Sequence, residues 1–482
     1  MLNYRTYIVL FLLGALFAML FTPLMIVIAK RFAIVDKPGV RKVHKKPTPL
    51  LGGVAIAIAM WVPPLLLLLY DNFVAEAFRS RIYDVAIIFT SGLLMLILGL
   101  VDDVRGLNAR QKLMVQIPVA AALVLSGIRF GNITIPGLGG VDLGSLSPVI
   151  TFIWIVGVCN AINLIDGLDG LAAGVAMFAA LTNGVIAILN GNVMVAVLMI
   201  TLAGGCLGFL HYNFHPAKIF LGDSGSLFLG VTLAVTSILG AQKGTMAASL
   251  LIPALVLGYP VFDTLIAMAR RFVKGKSMFS GDRKHIHHML LEKFLDQKRA
   301  VMVIYVGCAL FSVVALLVVM ENNFGIAIGF VVIGLVSYVS LRSLGYFKNL
   351  KQMLNGERTK FRAVEYFGKA VYYQIKGAKS IEEIYDYIKC ICHHYESPGF
   401  NIEIAGNGKV NRYSWFKDEQ AKISVGKGRL ECDVYDFSDS GLKITFYYME
   451  NVQNDDLHTE KRNFLGEIAD VTNERIKELV NS

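Results

Sequence analysis

The sequence predicts an all-α polytopic membrane protein of about eleven transmembrane helices, N-terminus outside and C-terminus inside, with a small C-terminal α+β cytosolic domain. Three observations predict it. Hydrophobic residues make up 55% of the 482 positions and mean hydropathy is +0.57, while charged residues are 17%, against roughly a quarter in soluble globular chains. Charge is unevenly spread: residues 1–345 hold 26 Lys/Arg and 15 Asp/Glu, whereas residues 346–482 hold 20 and 21. The basic excess of the first stretch is concentrated in two loops. The chain therefore divides into a transmembrane domain, 1–345, and a densely charged cytosolic domain, 346–482.

A bilayer-spanning helix needs roughly 20 mostly apolar residues. Candidate runs lie at 7–29, 50–70, 85–101, 112–128, 147–164, 168–189, 193–211, 225–241, 247–269, 300–320 and 323–342. The first is too long, and lacks a small-residue cleavage site, to be a removed signal peptide. The loop after the first run carries Lys30, Arg31, Lys37, Arg41, Lys42, Lys45 and Lys46 against one acid, Asp36. The loop between the ninth and tenth runs is similarly basic, from Arg270 to Arg299, and the opposite loops are nearly balanced. Positive loops stay inside, which puts the basic loops and the tail in the cytoplasm. That orientation also accounts for the pI of 9.1 without nucleic acid as a partner.

On this topology the polar clusters gather at the cytoplasmic side. Asp102 and Asp103 end an apolar run, with Arg105, Arg110 and Lys112 close by; ionisable groups at membrane depth are costly and mark function. Asn160, Asn163 and Asp166 recur every three residues, on one helix face. Asp169 follows between glycines 167 and 170. Oxygen-only side chains at this spacing suit Mg²⁺, which shares itself with substrate phosphates. Asn213 leads into Gly222-Asp223-Ser-Gly225, an acid at the start of an apolar helix, where backbone N–H groups favour anions. In the second basic loop, Arg283 and Lys284 beside His285, His287 and His288 suit a diphosphate better than zinc. The residues alone amount to Mg²⁺-dependent transfer of a phosphate-linked group to a lipid, since phosphoryl transfer needs mainly positioning and charge neutralisation. A secondary transporter would hold such acids near the bilayer midplane, not at one face. A membrane receptor would leave the Asp/Asn clusters unexplained.

In this order the clusters resemble the polyprenyl-phosphate N-acetylhexosamine-1-phosphate transferases. The matching stretches are Lys45 to Gly53, Asp102-Asp103, Asn160 to Gly170, Asn213 to Ser226, Pro260 to Asp263, and Asp282 to His288. The resemblance implies a fold of ten or eleven transmembrane helices in the bacterial inner (cytoplasmic) membrane. It implies transfer of a sugar 1-phosphate from a UDP-N-acetylhexosamine to undecaprenyl phosphate, releasing UMP, with Mg²⁺ or Mn²⁺. It further implies that Asn163 and Asp223 hold the metal, and that Asp102 and Asp103 form the catalytic pair, one of which deprotonates the lipid phosphate. Lys112, Asn160, Asp166, Asp169, Asn213, Arg283, His285, His287 and His288 are the implied substrate-binding positions. The Asp-Arg-x-His-Ile-His-His form looks like the WecA/TagO branch, not the muramoyl-pentapeptide branch. UDP-N-acetylglucosamine is then the first choice of donor, another UDP-amino sugar or UDP-MurNAc-pentapeptide the alternative. Membrane lipids surround the chain, and a homodimer stands as an open assembly.

The tail departs from the family, whose members end shortly after the last span. Ile381 to His394 and His458 to Val480 are spaced as amphipathic helices, so Cys390 and Cys392 belong to a helix and not to a metal clip. Asn401 to Ala405, Arg429 to Tyr435 and Lys443 to Tyr448 alternate like strands. A GAF- or PAS-like regulatory module and a docking surface are both open. Arg342 to Lys351 is expected to be a basic hinge at the membrane.

Overall fold

In the computed structural model the described part of each apolar run in the first 345 residues is helical, and that of the ninth is broken in two. The structure describes residues 4–36, 47–135, 139–241, 251–274, 286–294, 296–320, 323–343, 358–395, 397–406, 409–419, 430–437, 441–449 and 456–481. In chain order the first part comprises α1 (Tyr4–Arg31), β1 (Val35–Asp36), β2 (Thr48–Pro49), α2 (Gly52–Leu67), α3 (Phe73–Arg79), α4 (Ile82–Arg105) and α5 (Ala109–Leu125). The hairpin β3 (Asn132–Ile135) and β4 (Gly139–Asp142) precedes α6 (Ser147–Ile165), α7 (Leu171–Leu189), α8 (Val193–Asn213) and α9 (Gly222–Ala241). The pair α10 (Leu251–Val256) and α11 (Gly258–Lys274) replaces the single ninth span expected, at a point where Pro253, Gly258 and Pro260 crowd. Then come α12 (Ile286–Phe294), α13 (Gln297–Val319) and α14 (Asn323–Ser343).

Among the described residues, seven helices are long and apolar enough to cross a membrane: α1, α4, the segment Gly144–Ile165, α7, α8, α9 and α13. Burial ranks them. The apolar window of α9 is 94% buried and that of α8 83%, whereas α1 is only 22% buried and α13 33%. Thus α9 is the axis of the bundle, and the outer faces of α1 and α13 carry exposed Leu, Val and Met side chains such as Leu12, Leu20, Val303 and Met302, as lipid-facing helices do.

Glycines bring the inner helices close. On α8, Gly204 and Gly208 rest on the Phe11 and Ala15 carbonyls of α1, where a Cβ would overlap backbone; this is small-residue packing of the membrane type. Gly53 of α2 and Gly99 of α4 meet the backbone of α9 at Gly225 and Ser224 in the same way. The first turn of α9 is therefore clamped between two helices.

By contact the chain falls into two compact units, Met1–Ala269 with Gly281–Tyr346, and Arg270–Ser280 with Phe347–Ser482. The second holds helices Arg358–Gly377, Ile381–His394 and Asp456–Asn481 and four strands, β5 (Gly399–Gly406), β6 (Lys409–Phe416), β7 (Leu430–Phe437) and β8 (Leu442–Met449). The strands form one antiparallel sheet in the order β6-β5-β8-β7. Alternate residues Phe400, Ile402, Ile444 and Phe446 turn to one face and join Ile384, Ile388, Leu465 and Ile468 in a core of its own. On Ile381–His394, Cys392 is buried and Cys390 exposed, so the two thiols point to different sides of one helix. The basic stretch from Arg342 to Lys351 lies largely outside the described residues.

Candidate active site

The end of α4 sets the site. Gly106 adopts φ +67°, its N–H returns to the Asp102 carbonyl at 2.8 Å, and the Asp102 carboxylate accepts the Leu107 N–H. A left-handed glycine followed by a capped start is an economical reversal. Asn108 and Gln111 then form a reciprocal capping box that opens α5. The reversal folds Lys112, in the first turn of α5, back onto Asp102, and its ammonium pairs with both Asp102 and Asp223, the latter at 3.3 Å. Asp102 is 6% exposed, and a carboxylate so enclosed is tolerable only with such a partner.

Asp103, the neighbouring acid, does something different. It accepts the N–H of Asp223 at 2.7 Å and that of Ser224 at 3.1 Å. It caps the N-terminus of α9, where unpaired N–H groups and the helix dipole favour negative charge. Gly222, at φ +76°, makes the approach: a Cβ there would stand 2.6 Å from the Leu50 carbonyl oxygen and 2.7 Å from the Asp103 carboxylate. The segment before α2 completes the frame, with Phe220 N–H on the Pro49 carbonyl (2.8 Å) and Gly53 N–H on the Leu221 carbonyl (2.9 Å).

From α6, Asn163 donates its amide to the Asp223 carboxylate and to the Ser226 hydroxyl, the latter at 2.8 Å. One turn earlier, Asn160 donates to the Gln116 side-chain oxygen and to the Val156 carbonyl, both at 2.8 Å. Asp102, Asp103, Lys112, Asn163 and Asp223 thus meet in one cluster, with Asn160 one layer away. Of the ion-paired trio, Asp223 is the most open, its side chain 33% exposed against 4% for Asp102 and 17% for Lys112.

Asp166 follows as the C-cap of α6. Burial, then the like charges of Asp223, Asp103 and Asp169, push its carboxyl well above the usual carboxylate range. Asp169 braces the next loop: it accepts from His215 Nδ1 at 2.7 Å and from the Ala217 N–H at 3.1 Å. Asn213 turns inward to the Ile219 carbonyl at 2.9 Å and is 4% exposed. Tyr305 of α13 donates to the Gly170 carbonyl at 2.6 Å, fixing the far side of the same turn.

Arg283 and His285 lie outside the described residues; His287 and His288 fall on α12, whose backbone is described. Asp263 of α11, 1% exposed, accepts the Ile286 N–H at 2.8 Å and caps that helix. Motif reading passed over Gln116, His215, Ser226, Asp263 and Tyr305 as individual site residues. Gln116 had a usable signal, since it lies one turn from Lys112 inside an apolar run; the partners of His215 and Tyr305 are distant in sequence and gave none.

Asp223 and Asn163 supply oxygen donors without thiolate or imidazole, which suits a hard ion such as Mg²⁺ that takes one or two carboxylates and shares substrate phosphates. The Lys112 ammonium, resting against Asp102 and Asp223, marks the place as one that holds positive charge. Among the described residues no group of three or more His, Cys, Asp or Glu is arranged as a metal centre. A divalent ion here would therefore be completed by substrate oxygens and water.

A bundle of apolar helices thus carries a carboxylate–lysine–amide cluster at its helix ends, an arrangement suited to phosphate chemistry at a membrane surface. Residues 85–241, from α4 to the end of α9, match glycosyl transferase family 4. A Bacillus subtilis protein named "Probable undecaprenyl-phosphate N-acetylglucosaminyl 1-phosphate transferase" is 38% identical over 313 residues, 64% of this chain and 84% of the relative. The decaprenyl-phosphate N-acetylglucosaminephosphotransferase of Mycolicibacterium smegmatis is 38% identical over 304 residues, 58% of this chain and 74% of the relative. The phospho-N-acetylmuramoyl-pentapeptide-transferase of Moorella thermoacetica is 40% identical over 210 residues, 40% of this chain and 62% of the relative. The chain belongs to glycosyl transferase family 4, among the polyprenyl-phosphate N-acetylhexosamine-1-phosphate transferases.

Proposed function

We propose that this protein transfers N-acetylglucosamine 1-phosphate from UDP-N-acetylglucosamine to undecaprenyl phosphate at the cytoplasmic face of the bacterial inner membrane, releasing UMP. The observation that carries the proposal is the gathering of Asp102, Asp103 and Asp223 around Lys112, an acid-rich cluster suited to a divalent ion that shares the oxygens of phosphate-bearing substrates. The names of the relatives support the lipid and the sugar. An oxygen of the lipid phosphate attacks the sugar-bearing phosphorus, and the bond from that phosphorus to the bridging oxygen of UMP breaks. Lipid-linked diphospho-sugar and UMP are the products. Of the catalytic pair, Asp103 holds α9 through both oxygens and Asp102 lies against Lys112; Asp102 is the member proposed to receive the lipid phosphate's proton. Lys112 compensates the resulting charge, and Asp103 positions Asp223.

Asn163 and Asp223 would hold Mg²⁺, or Mn²⁺ in its place; the ion neutralises diphosphate charge when bound. Arg283, His285, His287 and His288 would cover the diphosphate, with Asp263 anchoring the helix on which the last two stand. Eleven spans, an outside N-terminus and a cytoplasmic tail complete the proposed topology. The tail, with its own core, is taken as a regulatory or docking domain outside the catalytic centre.

The test is purified protein incubated with undecaprenyl phosphate and UDP-N-acetylglucosamine, UDP-N-acetylgalactosamine or UDP-MurNAc-pentapeptide, scoring UMP. Release that requires the lipid and is fastest with UDP-N-acetylglucosamine is expected. No release with any of the three would sink the proposal.

A further inference from the structure

Gln116 is 1% exposed, yet its side-chain nitrogen has no hydrogen-bond partner. The direction of its amide follows from its neighbours. The Val156 carbonyl can only accept, so the Asn160 amide nitrogen faces it, and the same nitrogen donates to the Gln116 oxygen. The two N–H bonds of Gln116 are left over. A buried unsatisfied donor is costly, and native proteins leave few of them.

Its place gives the donor meaning. Gln116 lies four residues beyond Lys112 on α5, and Asn160 three residues before Asn163 on α6, so each pair shares a helix face. The Lys112–Asp223–Asn163 contacts form one layer and the Gln116–Asn160 contact a second. Four residues of helix separate the layers by about 6 Å. Because α5 begins at the polar turn Gly106–Asn108 and runs into apolar sequence, the second layer lies on the hydrocarbon side of the first. A water-soluble sugar nucleotide reaches the cluster from the aqueous side. A phosphate carried on a lipid reaches it from the hydrocarbon side.

We infer that Gln116 is a substrate-binding residue for the lipid: its free amide N–H groups take an oxygen of the polyprenyl phosphate, and Asn160 fixes the amide in the direction that presents them. The inference rests on the transferase function proposed above.

The test uses the full-length protein in detergent. Gln116→Met keeps the volume and removes the donor. It should raise KM for undecaprenyl phosphate about tenfold or more, as loss of a hydrogen bond to a charged group does, and leave KM for UDP-N-acetylglucosamine within twofold. Undecaprenyl phosphate should raise the thermal midpoint of the wild type and not of the variant, a readout that needs no turnover. Gln116→Glu retains the acceptor for Asn160 and should lose lipid affinity at pH 8 to the same degree or more; it serves if the Met variant does not fold. An unchanged lipid KM with full lipid stabilisation in either variant would make the amide simple helix-to-helix glue and overturn the inference, as would a rise confined to the sugar-nucleotide KM. Wild type that releases no UMP and gains no stability from the lipid would instead refute the proposed function itself.

Discussion

The carboxylate of Asp103 accepts the backbone N–H of Asp223 at 2.7 Å, so one acid of the adjacent pair holds the helix that delivers a third. Asp102, one residue earlier, is committed to Lys112 and the Leu107 N–H. Adjacent in sequence, the two acids serve different elements, and they should fail differently when changed.

Asp103→Ala should therefore cost both folding and activity. Two charge-assisted bonds to α9 disappear, each worth about 1.5–3 kcal/mol, and the thermal midpoint should fall together with UMP release. Asp102→Asn keeps an oxygen for the Leu107 N–H and leaves Lys112 its contact with Asp223, so it should lower the midpoint less than Asp103→Ala while lowering kcat by about 10²–10⁴, as loss of a proton acceptor does. Equal midpoints for the two variants would remove the distinction.

Lys112→Met should be destabilising because it strands the enclosed Asp102 carboxylate; breaking one side of a buried ion pair costs about 3–5 kcal/mol. Adding Asp102→Asn should recover most of that stability and none of the activity. The double-mutant cycle, read by denaturant unfolding in detergent, measures the coupling. Additive losses would mean that the pair contributes little.

Asp166 supplies a pH test. Its carboxyl titrates well above the usual range because of burial and the like charges of Asp223, Asp103 and Asp169. A raised carboxyl favours the protonated fold, so its stabilisation is complete below the ordinary carboxylate pKa and is lost as pH rises through the raised one. In EDTA the thermal midpoint should fall as pH rises through that window, and Asp166→Asn should flatten the fall. With Mg²⁺ bound at the proposed site the fall should shrink. A profile identical in the variant would take Asp166 out of the linkage.

Much of the cluster was legible from sequence because polar side chains stand out in apolar helices. Asp102, Asp103, Lys112, Asn163 and Asp223 were all visible, and the structure brings them together. Their division of labour was not legible, since it depends on contacts across more than a hundred residues, such as Asp103 to Asp223. Asp169 looked like its neighbours in the motif but closes on His215. Gln116 left only a weak mark, one turn beyond Lys112, because a single amide barely dents the hydropathy of a span. The break between α10 and α11 was hidden for a similar reason: Pro253, Gly258 and Pro260 interrupt the helix without lowering its apolarity. In the tail, β6 was missed because Lys409–Phe416 mixes Lys409, Asn411, Arg412 and Ser414 with its apolar residues, and its strand character comes from pairing with β5.

The second unit should fold without the first. Its core, from Val371 and Ile375 through Phe400 and Phe446 to Ile468, is contributed by its own helices and sheet, which is what an independently folding domain requires. A fragment covering residues 358–482 should be soluble and monodisperse, with a cooperative thermal transition. The complementary chain, ending near residue 350, retains Asp102, Asp103, Lys112, Asn163 and Asp223, and should release UMP in detergent at a rate within about threefold of the full-length protein. What it should lose is response to a partner or signal in cells. Two results would overturn this division. A tail fragment that is unfolded in isolation would show that its core is incomplete. A membrane fragment that inserts, remains monodisperse and yet releases no UMP, beside an active full-length enzyme, would make the tail part of the catalytic apparatus.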